Sequence, residues 1–135
     1  MKRILAAIVL AFSFALPASA DSDAVRGIIS AQLDAFRDGD AARAYSFAAP
    51  QIRRMFPTPE RFIAMVRQGY KPVYEAREPV FLRSQTMGDG TFAQEVSLTD
   101  AAGRSWTALY TLAQQDDGGW KITGCFLREA PGQNI

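Results

Sequence analysis

Apolar residues follow two different periods along this chain, and the change from one to the other falls near residue 70. Val25, Ile28, Ile29, Leu33 and Phe36 recur at the three- and four-residue spacing that keeps side chains on one stripe of an α-helix. Asp21 or Ser22 is placed to cap this helix, and Gly39 to end it in the left-handed conformation. Asp40 heads a second, alanine-rich helix with Pro50 as its stop and Tyr45, Phe47 and Ala48 as its buried contacts. A third helix starts at Pro57-Thr58-Pro59-Glu60: Thr58 caps, Pro59 suits the first helical position and Glu60 favours the positive helix end. Its apolar face is Phe62, Ile63, Met65 and Val66, and Gly69 closes it.

Beyond Tyr70 the pattern alternates with a period of two, as strands do. Lys71-Pro72 reads as a turn or extended entry, and Pro79 marks an edge strand in which Val80 and Leu82 alternate with Phe81 and Arg83. After the Gly88-Asp89-Gly90 turn, Phe92, Val96 and Leu98 alternate with Ala93, Glu95 and Ser97, so the two runs predict a hairpin. A third strand carries Trp106, Ala108, Tyr110 and Leu112, and a last one Trp120, Ile122, Gly124 and Phe126. Residues 129–135, with Pro131 and Gly132, read as a loose tail. Three helices followed by a four-stranded meander predict an α+β domain, its helices packed on one face of an antiparallel sheet.

One segment precedes this pattern. Lys2 and Arg3, an apolar run from Ile4 to Leu16 broken only by Ser13, and the ending Ala18-Ser19-Ala20 have the form of a secretory signal peptide. The expected division is therefore a signal peptide over 1–20 and one domain over 21–135, exported to the periplasm or secreted. Loss of Lys2 and Arg3 leaves thirteen basic against fourteen acidic residues, so no polyanion partner is indicated and nucleic acid is not expected. No stretch of the mature chain is long and apolar enough for a membrane span.

Composition removes several chemistries. The chain has no histidine, which excludes Ser-His-Asp and Cys-His sites and any zinc site needing imidazole. A single cysteine, Cys125, cannot close an intrachain disulfide; it reads as a small buried hydrophobe, with a mixed disulfide or a redox-sensitive thiol as the alternatives. No feature requires a metal, nucleotide, flavin or haem, so no cofactor is expected.

The stretch Thr58 to Tyr74 (TPERFIAMVRQGYKPVY) and the ending Asp117-Gly118-Gly119-Trp120-Lys121-Ile122-Thr123-Gly124-Cys125 resemble a secreted bacterial family known only as a domain of unknown function, over residues 24–128. The order of elements is similar to that of the cone-shaped fold of nuclear transport factor 2, ketosteroid isomerase and the SnoaL-like cyclases. This resemblance implies three helices closing over a strongly curved four-stranded sheet, with any ligand in the cavity between them. Isomerase-like members of that fold use a carboxylate base and a tyrosine or protonated acid, whereas cyclase-like members often use histidine and aspartate, which this chain cannot supply. No residue here aligns by motif with a catalytic position of the fold.

Four aromatic residues are the candidates for a ligand-binding pocket. Trp106 and Tyr110 stand four apart on one strand and share a face, as a pocket wall or as ordinary core. Tyr70 and Tyr74 follow the third helix, at the cavity mouth or in turn packing. Glu95 reads as solvent-facing, or as a base if the curved sheet buries its face. Arg53 and Arg54 read as surface charges, or as a fork for an anion. The leading expectation is a non-catalytic domain binding a small molecule or protein segment in the cavity. The alternatives are an isomerase or dehydratase using Glu95 or another buried carboxylate, and a structural homodimer formed through the exposed sheet face.

Overall fold

A computed structural model describes residues 18–131. Most of the expected leader, and the last four residues of the expected tail, lie outside them. Among the described residues five helices precede four strands: α1 (Ala18–Arg37), α2 (Ala41–Ser46), α3 (Pro50–Met55), α4 (Pro59–Gly69) and α5 (Lys71–Tyr74), then β1 (Arg77–Met87), β2 (Thr91–Thr99), β3 (Ser105–Gln114) and β4 (Trp120–Glu129). The strands form one antiparallel meander in the order β1-β2-β3-β4. Among the described residues no helix is long and apolar enough to cross a membrane.

The apolar stripe of α1 is the spine of the core: Val25, Ile29, Leu33 and Phe36 are all buried. The helix ends where expected, with Gly39 at φ +68° and the Gly39 and Asp40 N–H groups bonding back to the Phe36 and Ala35 carbonyls. Its start differs, since the helix already runs from Ala18 and Asp21 lies in its first turn, so neither Asp21 nor Ser22 is a cap. Asp40 caps α2 by accepting from the Arg43 N–H at 3.1 Å. Pro50, expected to stop that helix, instead opens α3 at its first turn, where a missing N–H costs nothing. Thr58 caps α4 as expected, accepting from the Arg61 N–H at 3.2 Å. Lys71-Pro72 is helical rather than extended, because Pro72 again falls in a first turn. Five helices thus replace the three expected, within the same class.

Short as it is, the link between α2 and α3 joins the helices to the sheet. Ala48 makes a parallel bridge with Ile122: the Ile122 N–H donates to the Phe47 carbonyl and the Ala49 N–H donates to the Ile122 carbonyl, both at 2.8 Å. Arg53 reinforces this junction from α3, its guanidinium donating to the Ala48 and Ser46 carbonyls at 3.2 and 2.9 Å while lying over the Tyr45 ring.

Inward-facing β2 residues are Phe92, Gln94, Val96 and Leu98, all buried. Gln94 breaks the apolar pattern for a reason found in β1, where two residues, Leu82 and Arg83, stand between the pairs that flank Glu95. The Gln94 amide donates to the Glu95 carbonyl at 2.9 Å and lies 3.3 and 3.4 Å from the Leu82 and Arg83 carbonyls, acceptors that the irregular pairing leaves over. A further bulge lies in β4. Thr111 pairs with Gly124 and Leu112 with Ile122, so Thr123 is one residue too many. The extra residue reverses the alternation beyond it: Cys125 and Leu127 pack against the core, and Phe126, expected inside with Ile122 and Gly124, is 66% exposed on the outer face.

Candidate functional site

Between the helices and the inner face of the sheet lies a cavity of about 340 Å³. Gln32 and Phe36 of α1 and Phe62, Met65 and Val66 of α4 border it from the helical side. Ile52 and Met55 of α3, with Phe56, extend the border, and Met55 is 71% exposed at the rim. Tyr70 and Val73 close the end of α4 and the start of α5, while the sheet contributes Tyr110 from β3 and Ile122 to Cys125 from β4. No lining residue is charged. A predominantly apolar concavity with few polar groups is the usual form of a small-molecule site, and this volume falls within the range such sites occupy.

Two polar side chains of the lining are deeply buried. Gln32 interrupts the apolar stripe of α1 and is 3% exposed; it donates from Nε2 to the Ala44 carbonyl at 3.1 Å, which fixes the carboxamide and occupies one of its N–H groups. Tyr110 is 1% exposed, and its hydroxyl meets no oxygen or nitrogen partner among the described residues, only the Cys125 sulfur, a weak acceptor. An unpaired buried hydroxyl costs roughly 1–3 kcal/mol, so this one is available to any group that can satisfy it. Tyr110 pairs across the sheet with Cys125. Burial raises the Tyr110 hydroxyl well above its ordinary value, with the neighbouring Cys125 thiol adding to the shift. Burial likewise pushes the thiol up to about 12, opposed by its contact with the hydroxyl. Both groups therefore stay neutral at physiological pH.

The four aromatic candidates separate into two pairs. Tyr70 and Tyr110 share the cavity lining. Tyr74 does not reach it; its ring packs against Phe36 at 6.2 Å between centroids and under the Arg67 guanidinium. Trp106 borders a different groove, with Lys71, Glu75 and Asp100, and its indole N–H donates to the Asp100 carboxylate at 2.9 Å. That bond, followed by the Arg104 and Ala102 N–H groups, lowers the Asp100 carboxyl below its ordinary range and holds the β2–β3 turn.

Glu95 is not a buried base. It lies on the outer face of the sheet, where its carboxylate meets Arg83 at 3.2 Å and Arg128 at 3.9 Å. Outward placement follows from strict alternation in β2, since its neighbours Gln94 and Val96 both point in. Arg53 does not form an anion fork, because its guanidinium is committed to main-chain carbonyls, and Arg54 is exposed.

Several cavity residues escaped the sequence reading. Gln32 carried a legible signal, as a polar residue at helical spacing from Ile28 and Ile29 on a buried stripe. Cys125 and Thr123 carried none, because their orientation depends on a bulge that period-two reasoning does not anticipate.

The family described as Domain of unknown function (DUF4864) matches residues 18–135. Among solved structures, an NTF2-like protein of unknown function from Shewanella baltica is similar with a TM-score of 0.58 and 14% identity, over 85% of this chain and 98% of that one. Aln2 from a Streptomyces species is similar with a TM-score of 0.54 and 16% identity, over 84% and 93% of the two chains. At these identities the likeness concerns the fold, and the cone-shaped α+β class expected from the sequence is the one found. No curated protein matches the chain.

Proposed function

This chain belongs to the family described as Domain of unknown function (DUF4864), and from the cavity at its centre we propose that it binds a small, largely apolar molecule there without transforming it. The observation that carries the reading is the lining itself: apolar and aromatic side chains from α1, α3, α4 and the sheet converge on one space, together with a buried hydroxyl that has only a sulfur beside it. The isomerase alternative needs a carboxylate at that space, and the lining offers none. A neutral fluorescent probe, N-phenyl-1-naphthylamine, tests the reading. It should brighten on binding the native chain and fail to do so with Met65→Trp, a substitution that fills the cavity from α4 while leaving the melting transition in place. A probe signal that is absent, or that survives Met65→Trp unchanged, would overturn it.

We also propose that residues 1–20 direct export and are removed, so that the domain works in the periplasm or outside the cell. Cleavage after Ala20 takes away three residues of α1 and keeps the buried residues Val25, Ile29, Leu33 and Phe36. Intact mass of protein recovered from the cell envelope should correspond to a chain starting at Asp21; an uncleaved chain retained in the cytoplasm contradicts this.

A second reading is favoured by the outer face of the sheet. Leu109 and Phe126 are cross-strand neighbours, both exposed, beside the Glu95, Arg83 and Arg128 cluster. A patch carrying apolar groups and both signs of charge has the elements from which a two-fold, self-complementary interface is built. Solution mass by light scattering decides it: twice the chain mass, reduced to one by Phe126→Asp, is the expected result for a homodimer.

A further inference from the structure

Building on the binding reading, we infer that the cavity selects an uncharged ligand with one hydrogen-bond acceptor, a carbonyl or ether oxygen, which takes the proton of the Tyr110 hydroxyl. Three observations lead there. First, the lining holds no charged side chain, so an anionic or cationic ligand would give up its water shell with no counter-ion in return. Second, the lining presents uncommitted donors: the Tyr110 O–H has no partner beyond the weakly accepting Cys125 sulfur beside it, and the Gln32 carboxamide has spent only one of its two N–H groups, on the Ala44 carbonyl, with its oxygen the one amide acceptor left over. Third, Tyr110 is 1% exposed, so a bond made to it is shielded from water, the condition under which a missing partner is most strongly rejected.

Size narrows the class further. At roughly 30 Å³ for each water-sized group, a cavity of about 340 Å³ takes a ligand of about a dozen non-hydrogen atoms. An aryl alkyl ketone is of that size, with a flat apolar body suited to Phe36 and Phe62.

Isothermal titration of the full chain with four matched probes tests this: butyrophenone, butylbenzene, 4-phenylbutyrate and 4-phenylbutylamine. One shielded neutral hydrogen bond should make the ketone bind about fivefold more tightly than the hydrocarbon. Both charged analogues should bind more weakly than the hydrocarbon. Tyr110→Phe should erase the preference for the ketone, so that the variant binds ketone and hydrocarbon equally, with its fold checked by circular dichroism. Equal affinity for ketone and hydrocarbon, or tighter binding of either charged analogue, overturns the acceptor inference while leaving the cavity reading in place. Binding of none of the four overturns both. The wild-type ratio of ketone to hydrocarbon decides the matter even if Tyr110→Phe does not fold.

Discussion

The two faces of the sheet are built from the same four strands, yet they do opposite things with polar groups. On the inner face Gln94 and Tyr110 are sealed from water, with the Gln94 N–H groups matched by main-chain carbonyls while its amide oxygen, and the Tyr110 hydroxyl beside Cys125, have no oxygen or nitrogen partner among the described residues. On the outer face Glu95 gathers Arg83 and Arg128 in partial contact with solvent, beside exposed Leu109 and Phe126. Neighbouring residues on one strand, Gln94 and Glu95, therefore belong to different chemistries. A neutral amide can be buried once its donors are matched, whereas a carboxylate would have cost several kcal/mol without a buried partner. The contrast puts the uncharged, water-excluded polar groups on the inner face and the ionised, solvated ones on the outer face.

Stability measurements offer the sharpest way to break that contrast. Phe36→Ala removes a ring that touches Phe62 and Tyr74 in the core and should cost about 3–5 kcal/mol by urea denaturation. Phe126→Ala, on the opposite face, should change stability by no more than about 0.5 kcal/mol in a monomer. A loss that varies with chain concentration would instead mark the outer face as an interface.

Alkaline titration probes the inner face next. The folded-state pKa of Cys125 is raised above the ordinary 9.0 to about 12, so the unfolded chain releases a proton in that interval while the folded chain keeps it. Stability should fall as pH rises from about 9 towards 12, and Cys125→Ala should lessen the fall. The same shift leaves roughly one thiol in ten thousand ionised at pH 8, so labelling by iodoacetamide should be slow in the folded chain and fast in urea. Rapid labelling of folded protein would contradict the burial.

Smaller effects belong to the outer face and to the turn. Glu95→Gln should cost about 0.2–1 kcal/mol, shrinking as salt is added, because each partner arginine is largely exposed. The depressed carboxyl of Asp100 stabilises the folded chain above its ordinary 3.8, and this contribution is lost as pH falls from there through the lower folded value. Asp100→Asn should flatten the acid limb of the stability curve below pH 4, and an unchanged limb would show that the Trp106 contact contributes nothing.

The architecture was legible because its determinants are local. The α1 stripe, the Asp40 and Thr58 caps and the alternation of β2 each report their own few residues, and all of them match the structure. What failed was local too, but ambiguous: Pro50 and Pro72 are helix breakers and helix starters alike, and only the chain around them decides which. The cavity was harder to read, since it forms where six separate elements meet. Trp106 shares the inner face of β3 with Tyr110, but the strand carries it beyond the helices that enclose the cavity, to the turn where Asp100 takes its indole. Strand spacing assigns a face without assigning a position along it.

Ile122 has one last bearing on how anything reaches the interior. Because both its main-chain groups are tied to Phe47 and Ala49, the α2–α3 junction is anchored to the sheet as though it were a fragment of a fifth strand. A whole-helix hinge at that place would have to break paired amide bonds, whereas Met55 at the rim is 71% exposed and exposed side chains change rotamer in pico- to nanoseconds. On the binding reading proposed above, uptake of a probe should therefore be quick and insensitive to agents that stiffen the backbone.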